Sequence, residues 1–235
     1  MEAIILAGGF GTRLQSVVKD VPKPMADING RPFLAYLLDY AISYGVERII
    51  LSVGYKREVI ERYFGNSYKG AALKYCAEDS PLGTGGAIKM ALGMCMDKNT
   101  LVLNGDTFFA VNLSSFADAH NKTTSLVSLA LKPMERFDRY GSVVLDGDTV
   151  VSFEEKKYCD SGLINGGVYL LNRDILPTLN CLPDIFSFEK DFLESKIADI
   201  RPYGFIDNGY FIDIGIPEDY ERAKEELNDY IQDPS

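Results

Sequence analysis

The sequence predicts an α/β fold: a twisted, mixed and mostly parallel sheet with helices on both faces. In the first half of the chain, apolar runs rich in β-branched residues alternate with helical stretches, and this βαβ rhythm is typical of parallel sheets. The second half reads mainly as strands, with a short hairpin turn over 146–148. A chain of 235 residues with 46% hydrophobic content is long enough to bury one sizeable core.

Glycine and proline divide the chain into its elements. Asn29, Gly30 and Pro32 predict the opening of the first helix and Gly45 its end, because proline fits the first turn of a helix and glycine stops it. Pro217 predicts the start of the last helix in the same way. The predicted strands cover 2–7, 46–53, 72–77, 100–104, 124–132, 141–146, 149–154 and 164–171, and the predicted helices cover 29–44, 56–64, 84–95, 114–120 and 217–231.

Composition and charge narrow the functional classes. The net charge of −10 argues against a duplex nucleic acid or an anionic membrane as partner, because the field of the protein repels both. We expect no signal peptide and no membrane span, since the sequence has no charged leader and no long apolar run. The cysteines form no C-x-x-C pair, so we expect free thiols in a reducing cytoplasm. They are Cys76, Cys95, Cys159 and Cys181.

The run AIILAGGFGTRLQSVVKDVPKPM near the N-terminus joins an apolar strand, a glycine-rich loop and two cations. Gly8, Gly9 and Gly11 let backbone N–H groups approach phosphate oxygens without interference from a Cβ atom. Arg13 offers a permanently charged fork to the β and γ phosphates, and Lys23 supplies a second cation. The run therefore predicts a site for a nucleoside triphosphate.

Two commoner phosphate-binding motifs do not fit this loop. The dinucleotide fingerprint G-x-G-x-x-G, started at Gly9, requires glycine where Leu14 stands. The Walker pattern requires Gly-Lys after four intervening residues, where Gly8 meets Arg13. What remains, G-G-F-G-T-R with P-K-P downstream, resembles the sugar-phosphate nucleotidyltransferases, whose signature is L-A-G-G-x-G-T-R-L followed by P-K-P-M. The alternative is a tight strand-to-helix turn with solvated cations.

The resemblance implies a Rossmann-like, glycosyltransferase-A-like single domain over 1–235. Its first half, 1–112, would bind the nucleotide, and its second half, 113–235, would bind the sugar phosphate. Only a short polar tail follows the last predicted helix, so we do not expect the β-helix domain that some relatives carry. The implied nucleotide contacts are Leu6, Ala7, Gly8, Gly9, Gly11, Thr12, Arg13, Lys23, Glu78, Pro81, Gly83, Thr84 and Asp106.

Two aspartates are the candidate metal ligands. Asp106 follows a buried apolar strand within Asn104-Gly105-Asp106, and Asp213 lies in F-I-D-I-G before a glycine turn. Magnesium favours one or two carboxylates together with phosphate oxygens and waters, and the same positions hold the metal in the resembled family. We therefore expect Mg²⁺ on Asp106 and Asp213. A turn-forming aspartate is the alternative at each position.

The segment 78–87, E-D-S-P-L-G-T-G-G-A, resembles the base-binding loop of the family. We expect Gly83, Gly85 and Gly86 to allow close packing of the backbone on a planar base. Glu78 favours guanine, because a carboxylate accepts hydrogen bonds from both N1–H and N2–H of guanine, whereas uracil and thymine offer a single N–H flanked by acceptors. A solvated loop acid is the alternative.

Two segments of the second half resemble the sugar-phosphate segments of the family: F-E-E-K over 153–156 and L-I-N-G-G-V-Y over 163–169. Lys156 would hold the attacking phosphate, while Glu155 and Asn165 would form hydrogen bonds with sugar hydroxyls. A charged surface hairpin is the alternative. The implied sugar contacts are Asn104, Tyr140, Gly141, Glu155, Lys156, Asn165 and Gly166.

The implied chemistry needs positioning and charge neutralisation rather than a general base, since a sugar 1-phosphate is mostly dianionic at neutral pH. Arg13 would stabilise the leaving pyrophosphate, while Lys23 and Lys156 would align the attacking phosphate. The lone His120, in a predicted amphipathic helix, is interpreted as a surface or helix-end residue. The implied catalytic residues are Arg13, Lys23, Asp106, Lys156 and Asp213.

Within the family, the segments V-P-K-P-M, P-L-G-T-G-G-A-I, L-N-G-D-T-F-F and L-I-N-G-G-V-Y-L-L are most similar to the branch that transfers GMP from GTP to D-glycero-α-D-manno-heptose 1-phosphate. GTP and this sugar phosphate are therefore the expected substrates, and GDP-heptose for surface polysaccharide is the expected product. Transfer from GTP to mannose 1-phosphate, or from UTP to N-acetylmuramate 1-phosphate, stays open. The alternative that is not an enzyme is a regulatory subunit that binds a nucleotide without turnover. Phe108 and Phe109 are candidates either for a contact between subunits of a homo-oligomer or for the core.

Overall fold

The computed structural model describes residues 1–9 and 21–232. The strands are β1 (Glu2–Leu6), β2 (Asp27–Ile28), β3 (Arg31–Pro32), β4 (Arg48–Val53), β5 (Ser67–Tyr68), β6 (Ala71–Ala77), β7 (Asn99–Asn104), β8 (Thr107–Phe109), β9 (Val127–Phe137), β10 (Ser142–Asp146), β11 (Thr149–Phe153), β12 (Cys159–Asn172), β13 (Tyr203–Ile206) and β14 (Phe211–Asp213). The helices are α1 (Phe33–Ser43), α2 (Arg57–Phe64), α3 (Gly83–Leu92), α4 (Leu113–Lys122), α5 (Leu176–Asn180), α6 (Ile197–Ile200) and α7 (Pro217–Gln232). Short 3₁₀ turns lie at Lys23–Met25 and Arg173–Ile175, and a π-helical segment lies at Phe188–Glu194. In this described part, no helix combines the length and the apolar character that crossing a membrane requires.

Ten of these strands form one mixed sheet in the order β10-β11-β13-β9-β12-β7-β1-β4-β6-β5. The strands β7, β1, β4 and β6 are parallel, and Ile4 lies opposite Ile50 on one side and Val102 on the other. Strand β12 runs antiparallel to both β7 and β9. The α/β class and the mixed sheet are confirmed; parallel pairing prevails in the N-terminal half and antiparallel pairing in the C-terminal half.

Apolar side chains cover both faces of the sheet. Ile5 and Leu37 belong to the layer that includes α1 and α2, whereas Ile4, Ile88 and Phe188 belong to the layer on the α3 side. Strands β1 and β4 are buried over most of their length, because parallel strands with helices on both faces have no solvent-facing side.

The first helix begins later than predicted. Asn29 and Gly30 have φ angles of 52° and 85° and form the turn between β2 and β3, so α1 begins only at Phe33. A two-residue hairpin requires this left-handed conformation, which Asn and Gly tolerate. Gly45, with a φ of 78°, follows the end of α1 as predicted.

Strands β9 and β12 are longer than the predicted strands 124–132 and 164–171. Their extensions pair with each other, with Cys159 opposite Phe137 and Ser161 opposite Glu135. These residues lack the apolar alternation that marks a strand in sequence, and backbone pairing with the partner strand maintains their extended conformation. The predicted hairpin at 146–148 is confirmed between β10 and β11.

His120 and the phenylalanine pair have core positions. His120 lies near the end of α4, as predicted, but it is only 3% exposed, so the surface alternative is wrong. Its Nδ1 atom lies 2.7 Å from Oγ of Ser128, and burial lowers the pKa of His120. Phe108 and Phe109 are also buried. Of their two predicted roles, the position in the core is therefore correct and the contact between subunits is not.

Candidate active site

A cleft of about 390 Å³ opens at the carboxyl ends of the parallel strands. Leu6 ends β1, Ser52 lies near the end of β4, Glu78 follows β6 and Asn104 ends β7. In open α/β sheets this edge is where ligands bind. The cleft is lined by Leu6, Gly8, Gly9, Lys23, Pro24, Ser52, Glu78, Pro81, Gly83, Thr84, Ala87, Asn104, Gly105, Asp106 and Gly215.

Most of the predicted nucleotide contacts meet in this cleft. Those that line it are Leu6, Gly8, Gly9, Lys23, Glu78, Pro81, Gly83, Thr84 and Asp106. Ala7 is buried instead, and its backbone N–H donates to the carbonyl oxygen of Ser52 over 2.8 Å. The predicted contacts Gly11, Thr12 and Arg13 lie outside the described residues.

Gly105 lets the loop after β7 approach β1. A Cβ atom at this position would lie 2.3 Å from the carbonyl oxygen of Leu6, a distance that no real side chain tolerates. The Gly105 N–H donates to the same oxygen over 3.0 Å. Glycine is thus required for the close contact that positions the neighbouring Asp106 at the cleft.

Asp106 and Asp213 meet around the ammonium group of Lys23. The Nζ atom of Lys23 lies 2.7 Å from Oδ2 of Asp106 and 3.5 Å from Oδ1 of Asp213. Strand β14 pairs antiparallel with β8, which places Asp213 opposite Thr107 and beside Asp106. Burial, reinforced by the negative charge of Asp106, raises the pKa of Asp213. Two acids that are remote in sequence therefore form one negatively charged site that already accommodates a cation.

The donor set of this site suits Mg²⁺. Carboxylate oxygens are hard ligands, and the ammonium between Asp106 and Asp213 shows that a positive charge fits there. Among the described residues, no group of three or more His, Cys, Asp or Glu side chains could hold a metal ion. Two carboxylates leave further coordination positions for waters and phosphate oxygens, as Mg²⁺ prefers.

Glu78 organises the loop in front of α3. Its Oε1 accepts a hydrogen bond from Oγ of Ser52 over 2.9 Å, and its Oε2 accepts one from the N–H of Leu82 over 3.0 Å. The carboxylate therefore joins β4 to the loop while it lines the cleft. This anchoring was absent from the sequence-based interpretation, although a serine within the otherwise apolar run I-I-L-S-V of β4 was a signal of a polar partner.

For two loop glycines the predicted packing on a base is wrong. A Cβ atom on Gly85 would lie 2.1 Å from the ring of Phe186, and one on Gly86 would lie 2.2 Å from the carbonyl oxygen of Asp184. Both glycines therefore accommodate the segment before the π-helical turn, and neither lines the cleft. Gly83, with a φ of 71°, does line it.

The predicted sugar contacts are only partly assembled around the acidic pair. Asn104 lines the cleft, and Oδ1 of this residue is buried without a hydrogen-bond partner. The ring of Tyr140 packs edge-on against Phe211 at 5.7 Å between centroids. Burial, with the charge of Asp213 as the next cause, raises the pKa of Tyr140 to about 12, so this tyrosine lies near the acidic pair as a neutral phenol.

The remaining predicted sugar contacts lie away from the cleft lining. Glu155 and Lys156 are exposed between β11 and β12. Gly141 packs against the carbonyl oxygen of Glu154, and Gly166 packs against the ring of Phe109. Nδ2 of Asn165 donates to the hydroxyl group of Tyr169 over 2.9 Å. Lys156 is thus not among the residues that line the cleft, whereas Lys23 and Asp106, with which the sequence-based interpretation grouped it, are.

Comparison with known proteins decides the family. The chain matches the Nucleotidyl transferase family over residues 2–230. It belongs to this family. D-glycero-alpha-D-manno-heptose 1-phosphate guanylyltransferase of Aneurinibacillus thermoaerophilus is 50% identical to this nucleotidyl transferase over 231 residues, which are 98% of this chain and 100% of that relative.

Two further relatives show how far the similarity reaches. Mannose-1-phosphate guanylyltransferase of Mycobacterium tuberculosis is 34% identical to this nucleotidyl transferase, over 97% of this chain and 64% of that relative. The crystal structure of HddC from Yersinia pseudotuberculosis complexed with GMP-PN has a TM-score of 0.84 and 39% identity, and the match covers 96% of this chain and 99% of that chain.

Proposed function

We propose that this nucleotidyl transferase transfers GMP from GTP to D-glycero-α-D-manno-heptose 1-phosphate, which gives GDP-heptose and pyrophosphate. The observation that carries the proposal is the meeting of Asp106, Asp213 and Lys23 at the cleft. A site with two carboxylates and a cation fits a triphosphate that arrives with a divalent metal. The 50% identity over the full length of a heptose 1-phosphate guanylyltransferase supports the choice of base and sugar.

In the proposed reaction the chain supplies positions and charges. Asp106 and Asp213 would hold Mg²⁺, which, when bound, neutralises the charge of the α-phosphate and the leaving pyrophosphate. The backbone of Gly8 and Gly9, which line the cleft, would cradle the phosphates. Lys23 adds an ammonium group beside the reacting phosphate. The attacking sugar phosphate is mostly dianionic at neutral pH, so no side chain has to remove a proton from it.

We assign the two remaining cations from the family resemblance. Arg13 would stabilise the leaving pyrophosphate from the glycine-rich loop. Lys156 would hold the attacking phosphate, and Glu155 would form hydrogen bonds with the sugar hydroxyls. Since Lys156 is exposed between β11 and β12 and does not line the cleft, its role requires this segment to approach the bound sugar phosphate.

The two halves of the chain would divide the substrates. Of the residues that line the cleft, only Gly215 comes from 113–235 in the described part of the chain, which supports a nucleotide-binding half over 1–112. The sugar phosphate would lie between this cleft and the strands of the second half, where Tyr140 and Asn165 are the proposed contacts. We place the reaction in the cytoplasm, a proposal supported by the four free cysteines, since a reducing compartment keeps thiols unpaired.

The test is a substrate panel. The protein is incubated with each of GTP, ATP, UTP, CTP and dTTP and with the 1-phosphates of heptose, mannose and N-acetylmuramate, and release of pyrophosphate is measured. We expect GTP with D-glycero-α-D-manno-heptose 1-phosphate to be fastest, about 10 to 200-fold above mannose 1-phosphate if one hydroxymethyl group fills a pocket. Asp106→Asn is the inactive control, and Asp118→Asn, an exposed acid on α4, is the matched active one.

Each outcome has a definite meaning. Faster turnover with UTP contradicts the guanine assignment, and faster turnover with mannose 1-phosphate contradicts the heptose assignment. Absence of pyrophosphate with every pair of substrates favours the regulatory subunit without turnover and rejects the proposed activity.

A further inference from the structure

A continuous set of hydrogen bonds joins the wall of the cleft to strand β12, with Glu189 at its centre. Oε2 of Glu189 accepts a hydrogen bond from Oγ1 of Thr84 over 2.7 Å, and Oε1 accepts one from the hydroxyl group of Tyr169 over 3.0 Å. Thr84 lines the cleft at the start of α3. Tyr169 lies on β12 and is fully buried. One carboxylate thus connects the nucleotide side of the protein with the proposed sugar side.

The charge of Glu189 determines the direction of these hydrogen bonds. A carboxylate only accepts, so Tyr169 must donate its single hydroxyl proton to Glu189. The tyrosine oxygen is then left as an acceptor, and Nδ2 of Asn165 donates to it over 2.9 Å. The Glu189 charge therefore selects the orientation of the Asn165 amide, which the shape of the side chain alone does not distinguish.

The other side of Asn165 agrees with this orientation. Oδ1 of Asn165 accepts a hydrogen bond from the backbone N–H of Gly167 over 3.1 Å. A backbone N–H cannot face an amide NH₂ group favourably, so a reversed Asn165 would lose the contacts with both Tyr169 and Gly167. Burial, together with the charge of Glu189, raises the pKa of Tyr169 well above its usual value, and this keeps the hydroxyl group protonated as a donor.

At the opposite end, the same carboxylate holds the first turn of α3. Oγ1 of Thr84 donates to Glu189 and accepts from the N–H of Phe188 over 2.9 Å. The N–H of Gly85 donates to the carbonyl oxygen of Phe186 over 3.0 Å. The wall of the cleft is therefore docked on the segment that carries Glu189, and the orientation of Asn165 depends on the same group.

We propose that Glu189 is a positioning residue for the transfer reaction. Its carboxylate holds Thr84, which lines the cleft, and through Tyr169 it orients the amide of Asn165. This inference rests on the proposed function, in which Asn165 contacts the sugar. Glu189 acts through Asn165 and Thr84 and itself touches neither reacting phosphate.

Glu189→Gln is the sharpest test, because it keeps the volume of the side chain and removes its charge. The glutamine amide donates as well as accepts, so Tyr169 is no longer forced to donate toward it, and only the N–H of Gly167 then holds the Asn165 amide in its orientation. We expect KM for the sugar 1-phosphate to rise about tenfold, the effect of one lost charge-assisted hydrogen bond, with a smaller change in KM for GTP. Glu194→Gln, an exposed glutamate of the same segment, is the matched control and should behave as wild type.

A double-variant cycle tests whether Glu189 acts through Asn165. In an Asn165→Ala background, Glu189→Gln should raise KM for the sugar 1-phosphate by less than about twofold, because the group that it orients is gone. Tyr169→Phe interrupts the same set of bonds by a different route and should also raise this KM. It serves as the second variant if Glu189→Gln does not fold.

Three results would overturn the inference. One is a wild-type KM for both substrates in Glu189→Gln, even with a lowered melting temperature, since that is the behaviour of a purely structural residue. Another is a rise of KM for the sugar 1-phosphate on Glu189→Gln that is equally large in the wild-type and the Asn165→Ala backgrounds. If the wild-type protein releases no pyrophosphate with any sugar 1-phosphate, the proposed function and this inference fail together, whereas active wild-type protein with an unaltered Glu189→Gln variant rejects only the inference.

Discussion

Replacement of Lys23 by methionine tests the charge balance of the acidic pair. The ammonium nitrogen of Lys23 lies 2.7 Å from a carboxylate oxygen of Asp106 and 3.5 Å from one of Asp213. Methionine retains an unbranched side chain of similar length but leaves the two carboxylates facing each other without a counter-charge. We expect the folded state of Lys23→Met to lose stability at neutral pH in the absence of metal.

The size of the loss follows from the exposure of the three side chains. Lys23 is 12% exposed, whereas Asp106 and Asp213 are 42% and 29% exposed. Removal of one partner costs about 3–5 kcal/mol in a fully buried pair, and an exposed pair is worth about 0–1 kcal/mol. An intermediate loss of about 2 kcal/mol corresponds to a fall of roughly 4–8 °C in melting temperature for a chain of this size.

The pH dependence of the loss has a definite sign. Burial and the charge of Asp106 already raise the pKa of Asp213, and removal of Lys23 raises it further. An acid whose pKa is higher in the folded state costs stability above that pKa, and the cost disappears once the pH falls below its unfolded value. The difference in melting temperature between Lys23→Met and wild type should therefore be larger at pH 8 than at pH 5.

Thermal unfolding with and without millimolar MgCl₂ is the assay. Mg²⁺ should raise the melting temperature of Lys23→Met more than that of wild type, because the metal no longer competes with an ammonium group. Lys157→Met is the control, since Lys157 pairs with Glu154 at 2.8 Å but is 62% exposed. Equal melting temperatures for Lys23→Met and wild type at pH 8, with equal responses to Mg²⁺, would refute the reasoning.

Three further predictions concern single side chains. Asp106→Asn should lower kcat by about 10² or more with an intact fold, because the charge stabilisation by a metal amounts to several kcal/mol; steady-state kinetics and a melting curve check this. Glu78→Gln should narrow the preference for GTP, since the amide places a donor against guanine or against the N–H of Leu82; kcat/KM for the different NTPs measures it. Burial lowers the pKa of His120, so stability should fall as the pH drops below about 6.5, where the unfolded histidine binds more protons. In His120→Gln the free energy of unfolding should depend less on pH between pH 7.5 and 5.5 than in wild type. An unchanged slope of this free energy against pH would contradict the prediction.

Local features of the sequence predicted several elements of the fold. The apolar run around Ile4 and Ile5 predicts a buried strand, and the strand is buried in the structure. Gly45 predicts the end of α1 because its conformation depends on the backbone of a single residue. Even the misplaced opening of α1 had a local cause, since Asn29 and Gly30 mark a turn whether a helix or a strand follows.

The family resemblance predicted that Asp106 and Asp213 share one metal, but the sequence did not predict their contact with Lys23. Asp106 and Asp213 each carry a local pattern of an acid after an apolar strand, and their distance to Lys23 depends on the pairing of β8 with β14. The anchoring of Glu78 by Ser52 depends in the same way on two neighbouring parallel strands.

The sequence by itself determined the parallel strands and the identity of the charged groups, because these depend on residues close together in the chain. Tertiary structure alone decided that Gly85 faces Phe186, that Lys156 lies exposed and that Glu189 joins Thr84 to Tyr169. Such contacts arise from the packing of elements remote in sequence. Many weak interactions set that packing together, and no short stretch of sequence contains them.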